Sequence, residues 1–459
     1  MDTPIAFGTD GWRADLETFT TDRVRIVAQA VATYLADHGL TGAPVAIGYD
    51  ARASSRGFAD AMADVLTDNG IDVRRLPRDL PTPLLAWQVA TRRCSGGLMI
   101  TASHNPPEYN GVKFITAAGA PALPTVTDAI EARLAEPRRL PAAGAADRLV
   151  DPRTTYLDHV RELVDVDGID GLRVCYDAMH GSGRGVTDRL LKACGAAVTT
   201  YRCTRDPTFG GGAPDPTADR LGTLERAVER HDADLGIAND GDADRIVVAT
   251  PERGVLDASL LYAALYDHLL EDDAGPAVRT VSTSHLIDRI AAAHGEDVIE
   301  TAVGFKWVAA AMREHDALIG GEESGGYGVR GHVREKDGVL LAALVAAMTA
   351  AEPLDDRIDR LLEDHGRIVQ DKISVACPDG RKEAVLDALD GQLPETVADS
   401  AVADVATVDG YKITLADDSW LLVRPSGTEP VLRVYAEGPD RDRVGEVLMA
   451  GQSLVEPLV

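Results

Sequence analysis

The chain has 459 residues, more than one hydrophobic core usually supports, so we expect it to fold as several domains. Asp and Glu number 74 against 46 Lys and Arg, and the formal net charge is −28. A field of this sign repels nucleic acid and anionic membrane surfaces, so neither is a predicted partner.

The remaining composition is typical of a globular protein, with 45% apolar and 26% charged residues. The five cysteines are scattered and form no Cys-x-x-Cys pair, which disfavours a disulfide scaffold and a thiolate zinc site. The N-terminus lacks a basic segment followed by an apolar run, and no stretch of about 18 apolar residues occurs. We therefore expect a soluble, unprocessed, cytoplasmic protein.

Helical and strand patterns alternate along the first part of the chain. Apolar residues at helical spacing predict a helix over 21–38, and a short apolar run predicts a buried strand at Val45–Tyr49. After a further helix and strand, the run 98–101 predicts another strand. Residues 102–106 then occupy the loop at its end, where α/β folds carry their chemistry, so a doubly wound sheet is predicted.

A Pro- and Ala-rich stretch at 135–147 is the first predicted linker. Beyond it, strand and helix patterns alternate again in two further units, which can share the fold of the first. Near the C-terminus, short runs in which apolar and polar residues alternate predict a smaller α+β domain. The predicted elements are strands at 172–176 and 197–201 around a helix ending at Ala193, two strands within 233–250, a strand, helix and strand at 278–283, 286–293 and 297–301, and strands at Tyr411–Leu415 and 420–423.

The loop that follows the strand at 98–101 reads Thr-Ala-Ser-His-Asn-Pro, with the serine at position 103. A serine just past a buried strand, followed by a histidine and a turn-forming Asn-Pro, is expected to be presented to solvent in a fixed loop, as a nucleophile requires. The alternative is a structural turn in which Ser103 and Asn105 bond their own backbone.

A second motif, Asp-Gly-Asp-Ala-Asp-Arg at 240–245, places carboxylates at alternate positions around a glycine. A sharply turned loop can aim Asp240, Asp242 and Asp244 at one hard cation. A calcium loop is disfavoured because its sixth and twelfth positions are Arg245 and Pro251, so magnesium with a phosphoryl oxygen as a further ligand is predicted. A solvated acidic turn is the alternative.

Three further loops contain groups that bind anions or sugars. The segment 424–430, Arg-Pro-Ser-Gly-Thr-Glu-Pro, combines a guanidinium, two hydroxyls and a glycine in an arrangement that suits phosphate, although it also fits an ordinary hairpin turn. The segment 7–13 is Gly-rich and ends in Arg13, and the segment 320–326 offers carboxylates and a hydroxyl on a Gly-rich turn. Each of these two is weak by itself.

Together, these five motifs resemble, in order and spacing, the α-D-phosphohexomutase family of phosphoglucomutases and phosphomannomutases over essentially the whole chain. The resemblance implies three related α/β domains with mixed sheets and a smaller C-terminal α+β domain around a central cleft. The implied domains are 1–148 with a phosphoserine loop, 149–254 with a metal-binding loop, 255–368 with a sugar-binding loop and 369–459 with a phosphate-binding loop.

The resemblance also implies a role for individual residues. Ser103 carries the phosphoryl group, and one of its oxygens completes a Mg²⁺ site formed by Asp240, Asp242 and Asp244. The other implied catalytic residues are Arg13, His104, Arg245 and Lys113, the last a candidate general acid/base. The implied substrate-binding residues are Lys306, Glu322, Ser324, Arg424, Ser426, Gly427 and Thr428.

The implied reaction interconverts hexose 1-phosphate and hexose 6-phosphate through a hexose 1,6-bisphosphate, which serves as intermediate and activator. The implied partner is therefore a small-molecule sugar phosphate, bound by a monomer or homodimer. Glu322 and Glu323 before Ser324 resemble glucose or mannose mutases more than glucosamine mutases, whose loop commonly has glutamine there. Ala14 and the stretch 209–216, which lacks the histidines often seen before its Pro-Asp-Pro, depart from the family pattern.

Phosphoglucosamine mutase is the alternative substrate assignment. Two other functions remain open, a metal-dependent sugar-phosphate phosphatase, in which water attacks the same phosphoserine, and a non-catalytic sugar-phosphate sensor. A sensor has no need for a serine, three metal carboxylates and Lys113 together.

Overall fold

The computed structural model describes residues 4–138, 144–166, 168–427 and 429–459. Four sheets divide these residues into three α/β units and a C-terminal α+β unit, which confirms the predicted fold class. The linker prediction at 135–147 falls partly outside the described residues, as does Thr428. The domain boundaries at 148, 254 and 368 remain predictions.

The first domain contains a six-stranded mixed sheet in the order β1-β5-β4-β2-β3-β6. Strands β2, β3, β4 and β6 are parallel, and β5 runs antiparallel to β4. Its elements are β1 Trp12–Asp15, α1 Thr21–Asp37, β2 Val45–Tyr49, α2 Ser55–Asp68, β3 Val73–Arg75, α3 Thr82–Thr91, β4 Gly96–Ile100, β5 Tyr109–Thr116, α4 Pro124–Glu131 and β6 Asp147–Leu149.

The second domain contains a five-stranded sheet in the order β11-β10-β9-β7-β8. Strands β7, β8 and β9 are parallel, and β10 is antiparallel to β9. Its elements are α5 Arg153–Leu163, β7 Arg173–Asp177, α6 Thr187–Ala193, β8 Ala197–Tyr201, α7 Ala218–Arg230, β9 Leu235–Asn239, β10 Ile246–Thr250 and β11 Gly254–Val255.

The third domain contains a four-stranded sheet in the order β13-β12-β14-β15, again with one antiparallel strand, β15, beside β14. Its elements are α8 Ala258–Leu270, β12 Ala277–Thr280, α9 Leu286–His294, β13 Val298–Thr301, α10 Phe305–Glu314, β14 Ile319–Gly321, β15 Tyr327–Val329, α11 Gly338–Ala351 and α12 Leu354–His365.

All three sheets share one four-strand pattern. If the four core strands of each domain are numbered one to four in chain order, they lie side by side in the sheet in the order four, three, one, two. Of these four strands, the fourth alone is antiparallel to its neighbour. The loop between the third and fourth strands carries position 103 in the first domain, the three aspartates in the second and Glu322 in the third. The same topological position therefore supplies three of the loops that the sequence singled out.

The fourth domain is a six-stranded antiparallel sheet in the order β16-β21-β20-β19-β18-β17 with helices packed on it. Residues 426–430 connect β20 to β21. Its elements are β16 Val369–Ala376, α13 Asp379–Asp390, β17 Thr396–Val397, β18 Ser400–Ala406, β19 Tyr411–Leu415, β20 Trp420–Pro425, β21 Val431–Gly438, α14 Arg441–Val455 and a terminal 3₁₀ turn, Glu456–Leu458.

The hydrophobic cores show which domains are fixed to one another. One continuous cluster runs from α3 of the first domain through the second domain into α8 and α11 of the third. The fourth domain has a separate core, and among the described residues a small apolar cluster containing Val281 and Trp420 joins it to the third. The first three domains are therefore packed as one body, to which the fourth is attached by a smaller contact.

Within the described residues, no single helix is long and apolar enough to cross a membrane. The helices α11 and α12 are long and apolar enough only when they are taken together, and they are bent by 80° at the break between them. Because α11 is buried along almost its whole length, its apolar composition is that of a core helix.

Candidate active site

Ser103 lies in the loop that joins β4 to β5 and adopts a left-handed backbone conformation, with φ of 49°. The Thr101 hydroxyl accepts a hydrogen bond from the Ser103 backbone N–H at 2.8 Å and helps to hold this conformation. The residue is only 1% exposed, so the prediction that the loop presents it to solvent was wrong. Loops of other domains cover it, which the sequence of one loop does not reveal.

The buried guanidinium of Arg52 holds the carbonyl groups of this loop. It donates to the carbonyl oxygens of Ser103 at 2.8 Å, Asn105 at 2.6 Å and Tyr109 at 3.1 Å. A bond to the Asp50 carboxylate at 2.9 Å balances its charge. A planar group with five donors can serve several carbonyls at once, so Arg52 fixes the shape of the loop.

The three aspartates occupy the loop between β9 and β10. Ala243, between the second and third of them, has a left-handed φ of 56°, which turns the chain so that the alternating carboxylates converge. Ligand oxygens of Asp240, Asp242 and Asp244 all lie within 4.8 Å of one another, and all three residues are buried. Buried carboxylates at this spacing need cationic partners.

The serine loop and the aspartate loop are in direct contact. The Ser103 hydroxyl donates a hydrogen bond to Asp240 Oδ2 at 2.6 Å. Gly241 lets the backbones approach, because a Cβ at that position would lie 2.5 Å from the Ser103 carbonyl oxygen. The Thr82 hydroxyl, from the first domain, also donates to Asp242 at 2.6 Å. The structure thus brings together two motifs more than 130 residues apart.

Two lysines neutralise part of the carboxylate cluster. Lys113 on β5 lies 3.0 Å from Asp242, 2.8 Å from Asp244 and 2.8 Å from Asp10, and Lys336 lies 3.5 Å from both Asp10 and Asp244. Burial lowers the pKa of Lys113, but the three carboxylates outweigh it and raise this pKa well above its usual value. The lysine is therefore an ammonium in this state.

Carboxylate oxygens remain for a cation. Asp242 Oδ1 and Asp244 Oδ1 are buried and have no hydrogen-bond partner among the described residues. Two orphaned carboxylate oxygens beside Asp240 match the hard oxygen ligands that Mg²⁺ prefers. The residues present therefore fit a divalent cation, which when bound neutralises charge on an adjacent phosphoryl group.

His104 and Arg245 lie beside the serine. His104 Nδ1 is 3.4 Å from Ser103 Oγ. The Arg245 guanidinium, together with burial, lowers the pKa of His104 to about 2, so its imidazole is neutral near pH 7. Arg13 donates to Asn105 Oδ1 at 3.1 Å and pairs with Asp10 at 3.1 Å. Arg245, Arg13 and Lys113 all act on the pKa of His104, so the predicted catalytic residues of the first two domains lie together around the serine loop.

The sugar-loop residues of the third domain adjoin this cluster. Glu322 Oε1 accepts a hydrogen bond from the Gly304 backbone N–H at 3.0 Å, and Lys306 donates to the Gly8 carbonyl oxygen at 3.3 Å. Burial raises the pKa of Glu322 to about 7. Ser324 follows in the same loop and is partly exposed. The Lys306 contact places the third domain against the loop of residues 7–13.

The predicted phosphate cradle of the fourth domain approaches the same loop. A Cβ on Gly427 would lie 3.3 Å from Thr9 Oγ1. Arg424 pairs with Asp409 at 2.9 Å, and that carboxylate also accepts from the Val303 backbone N–H at 3.1 Å, which ties the cradle to the third domain. The Ser426 hydroxyl accepts from the Glu429 N–H at 3.2 Å.

Sequence reasoning missed four residues that support this arrangement, namely Asp10, Arg52, Lys336 and Lys382. Asp10 lies within the Gly-rich segment 7–13, but nothing in the spacing of that segment indicates that it contacts Lys113 and Lys336. Lys382 donates to the carbonyl oxygens of Ser426 and Glu429, both at 2.6 Å, and so fixes the cradle. The charged run Arg-Glu-Lys-Asp at 334–337 before an apolar helix was the available signal for Lys336.

Comparisons with known proteins agree with this architecture. Family models described as phosphoglucomutase/phosphomannomutase alpha/beta/alpha domains I, II and III and C-terminal domain match residues 4–140, 154–254, 257–365 and 373–450.

A Methanopyrus kandleri protein named "Probable phosphoglucosamine mutase" is 36% identical over 449 residues, 96% of this chain and 95% of that protein. A "Phosphoglucomutase/phosphomannomutase" of Thermococcus kodakarensis is 31% identical over 98% of both chains. A Burkholderia thailandensis structure, a phosphoglucomutase/phosphomannomutase family protein, shares the fold with a TM-score of 0.87, 22% identity and coverage of 100% and 98%.

These matches and the four-domain fold define the protein as an enzyme of the mutase class, an intramolecular phosphotransferase. The chain belongs to the phosphoglucomutase/phosphomannomutase family, within the α-D-phosphohexomutase superfamily. The family resemblance seen in the sequence is therefore confirmed.

The Arg52 contacts predict a test of loop geometry. Arg52→Lys keeps the charge beside Asp50 but cannot reproduce a planar fork to several carbonyls. Because misplacing a reacting group by about 1 Å can cost on the order of 10²-fold, we expect mutase turnover to fall by about that factor. Steady-state kinetics measures this, with exposed Arg56→Lys as the matched control. Wild-type turnover in Arg52→Lys would contradict the proposed role.

The raised pKa of Glu322 predicts a pH-dependent stability. The unfolded chain ionises this carboxyl near pH 4.5, whereas the folded chain keeps the proton to about pH 7. Stability is therefore lost as pH rises between these values. In metal-free buffer, Glu322→Gln should match wild type at pH 4.5 and exceed it at pH 8, by on the order of 1–3 kcal/mol. Denaturant unfolding measures the difference, with Glu323→Gln as control; an equal gain at both pH values would contradict the raised pKa.

Proposed function

We propose that this enzyme interconverts hexose 1-phosphates and hexose 6-phosphates through a phosphoserine at Ser103. The observation that carries the proposal is the 2.6 Å contact between the Ser103 hydroxyl and Asp240, which sets the serine against a carboxylate cluster suited to Mg²⁺. A phosphoryl group on Ser103 would thus be formed beside the cation site. Asp240, Asp242 and Asp244 are proposed to hold the ion.

Positive charge for the transferred phosphoryl group comes from Arg13, Arg245 and Lys113. Phosphoryl transfer through a loose transition state depends mainly on in-line positioning and charge neutralisation, which these groups supply. The raised pKa of Lys113 suits a fixed counter-charge, because an ammonium held by three carboxylates is a weak acid. We therefore assign Lys113 as a counter-charge to the phosphoryl group, and a role as general acid/base would require the release of its carboxylate partners.

His104 is proposed to orient the Ser103 oxygen. When the sugar hydroxyl attacks phosphoserine, the bond between phosphorus and Ser103 Oγ breaks, the sugar oxygen loses a proton and Oγ gains one. When the bisphosphate returns its other phosphoryl group, Oγ attacks and loses its proton, and the released sugar oxygen gains one, so each transfer is balanced. The His104 Nδ1 atom lies 3.4 Å from Oγ, and because its pKa is lowered to about 2 the imidazole stays neutral and is assigned to positioning rather than to proton acceptance.

The sugar and its non-reacting phosphate are assigned to the remaining two loops. Lys306, Glu322 and Ser324 are proposed to contact the sugar, and the cradle residues Arg424, Ser426, Gly427 and Thr428 the distal phosphate. One cradle must receive either end of the bisphosphate, because the sugar reverses between the two transfers. The small junction between the third and fourth domains suits closure around both orientations.

Glucose and mannose phosphates are the proposed substrates, on the basis of the Glu-Glu-Ser sequence of the sugar loop. Glucosamine phosphate is the second candidate. It is favoured by the name of the 36% identical Methanopyrus kandleri relative, and two adjacent carboxylates also suit an ammonium group. Overall identity does not decide the sugar, since a relative at 31% is named phosphopentomutase.

Ser103→Ala tests the phosphoserine. We expect loss of nearly all mutase activity with every sugar and no phosphoryl adduct by intact-mass spectrometry after incubation with glucose 1,6-bisphosphate. Ser453→Ala, an exposed serine on α14, is the matched control. Retention of more than a few per cent of activity in Ser103→Ala would refute the intermediate. Release of free phosphate at the substrate turnover rate, without isomer, would instead identify a phosphatase.

A coupled assay with glucose, mannose and glucosamine 1-phosphates tests the sugar. We expect kcat/KM to be lowest for glucosamine 1-phosphate, because its ammonium group costs desolvation unless a carboxylate is free to pair with it. The variants Glu322→Gln and Glu323→Gln identify which carboxylate pairs with the ammonium group. A higher kcat/KM for the amino sugar would overturn the glucose and mannose assignment and leave the phosphohexomutase class intact.

A further inference from the structure

A cavity of about 590 Å³ lies between the first and third domains, away from Ser103 and the aspartate cluster. Its walls come from the end of α3, the segment between β5 and α4, the helix α10 and residues 331–334. The volume is within the range of small-molecule sites, roughly 300–1,000 Å³. Lys306, which is proposed to contact the sugar, is the one residue of the proposed mutase site among the lining residues described.

The charge of the cavity is opposite to that of the protein as a whole. Lys306, Arg313 and Arg334 line it, and no Asp or Glu is among its lining residues in the described part of the chain. In a chain of net charge −28, a concave surface with three cations and no carboxylate is a local reversal of the field. Such a surface concentrates anions.

The two guanidiniums have unused hydrogen-bonding capacity. The Arg313 side chain is exposed and makes no hydrogen bond or ion pair with a described residue, and Arg334 Nη1 is buried without a hydrogen-bond partner among the described residues. The other terminal nitrogen of Arg334, Nη2, lies 3.8 Å from the Asp316 carboxylate, which is mostly exposed. A buried, unpaired donor costs free energy, which an anion in the cavity would recover.

The rest of the lining is apolar and aromatic. Trp87, His159 and His332 form a continuous set of rings, with centroids 5.8 Å apart for the first pair and 5.1 Å for the stacked histidines. Alanines of the 116–120 segment and of α10 complete the walls. A sugar would leave most of its hydroxyls unpaired here, whereas a planar heterocycle would find both apolar surface and aromatic neighbours.

We propose that this cavity binds a nucleotide, with its base against the Trp87 and His159 side and its phosphates at Arg313 and Arg334. Charge complementarity selects the phosphates, and the apolar aromatic wall selects the base. The site is separate from the proposed mutase chemistry, so its test needs no sugar phosphate and stands or falls independently of that function.

Isothermal titration of the full chain in metal-free buffer tests the site, with ADP and UDP as probes. We expect both to bind, with adenosine and inorganic pyrophosphate at least about tenfold weaker, because each supplies only half of the recognised chemistry. Arg313→Gln and Arg334→Gln should each weaken nucleotide binding at least about fivefold. Exposed Arg230→Gln on α7 is the matched control and should leave binding unchanged.

Nucleotide phosphates can also occupy the phosphate cradle, so Arg424→Gln distinguishes the two places. Binding that survives Arg424→Gln and saturating glucose 1,6-bisphosphate, but is lost in the Arg313 and Arg334 variants, supports the proposal. Binding lost only in Arg424→Gln would overturn it, as would no binding by wild type or equal affinity for pyrophosphate and ADP. Circular dichroism confirms that each variant is folded, and the adenosine and pyrophosphate arms test the ligand class without any variant.

Discussion

The site depends on the hydrogen bond from Ser103 to Asp240, which joins a hydroxyl of the first domain to a carboxylate of the second in a region closed to solvent. The surrounding residues must therefore hold two domains together and stabilise buried negative charge. A buried carboxylate cluster is unfavourable unless cations and donors satisfy it. Lys113, Lys336 and Thr82 do so from the first and third domains, and Arg245 lies beside them. The carboxylate cluster is therefore stabilised only when the domains are assembled, and no single domain contains a complete site.

The shared strand order makes this assembly possible. In each α/β domain the loop between the third and fourth core strands faces the common centre, so one topological position supplies the serine, the aspartates and Glu322. A continuous core then fixes these three loops relative to one another. The fourth domain differs, since its junction with the third consists of a small apolar cluster and polar contacts such as the pair of Lys412 and Glu300 at 2.7 Å. A rigid centre with a separately attached fourth domain would suit the proposed bisphosphate, which has to be held in two orientations.

Local patterns were sufficient for much of the fold and for the chemistry-bearing motifs. The strands Val45–Tyr49, Ala197–Tyr201 and Tyr411–Leu415 were predicted with their observed ends, because each is a short apolar or alternating run bounded by turn residues. The antiparallel strand β5, the burial of Ser103 and the roles of Arg52 and Lys336 were not predicted. All of these depend on contacts between segments far apart in sequence, and residue spacing within one segment contains no information about its distant partners. Motif order predicted which loops come together, whereas the surrounding ion-pair network required the structure.

The affinity of the enzyme for a divalent cation, measured before and after phosphorylation of Ser103, tests the central contact most directly. If the serine lies against the aspartates as described, a phosphoryl oxygen becomes an additional ligand. Mn²⁺ titrated as a Mg²⁺ substitute and followed by electron paramagnetic resonance should then bind at least about tenfold more tightly to the phosphorylated form. Asp242→Asn should weaken binding to both forms, and Ser103→Ala should show the unphosphorylated affinity whatever its treatment. Equal affinities for the two forms of the wild type would contradict the account.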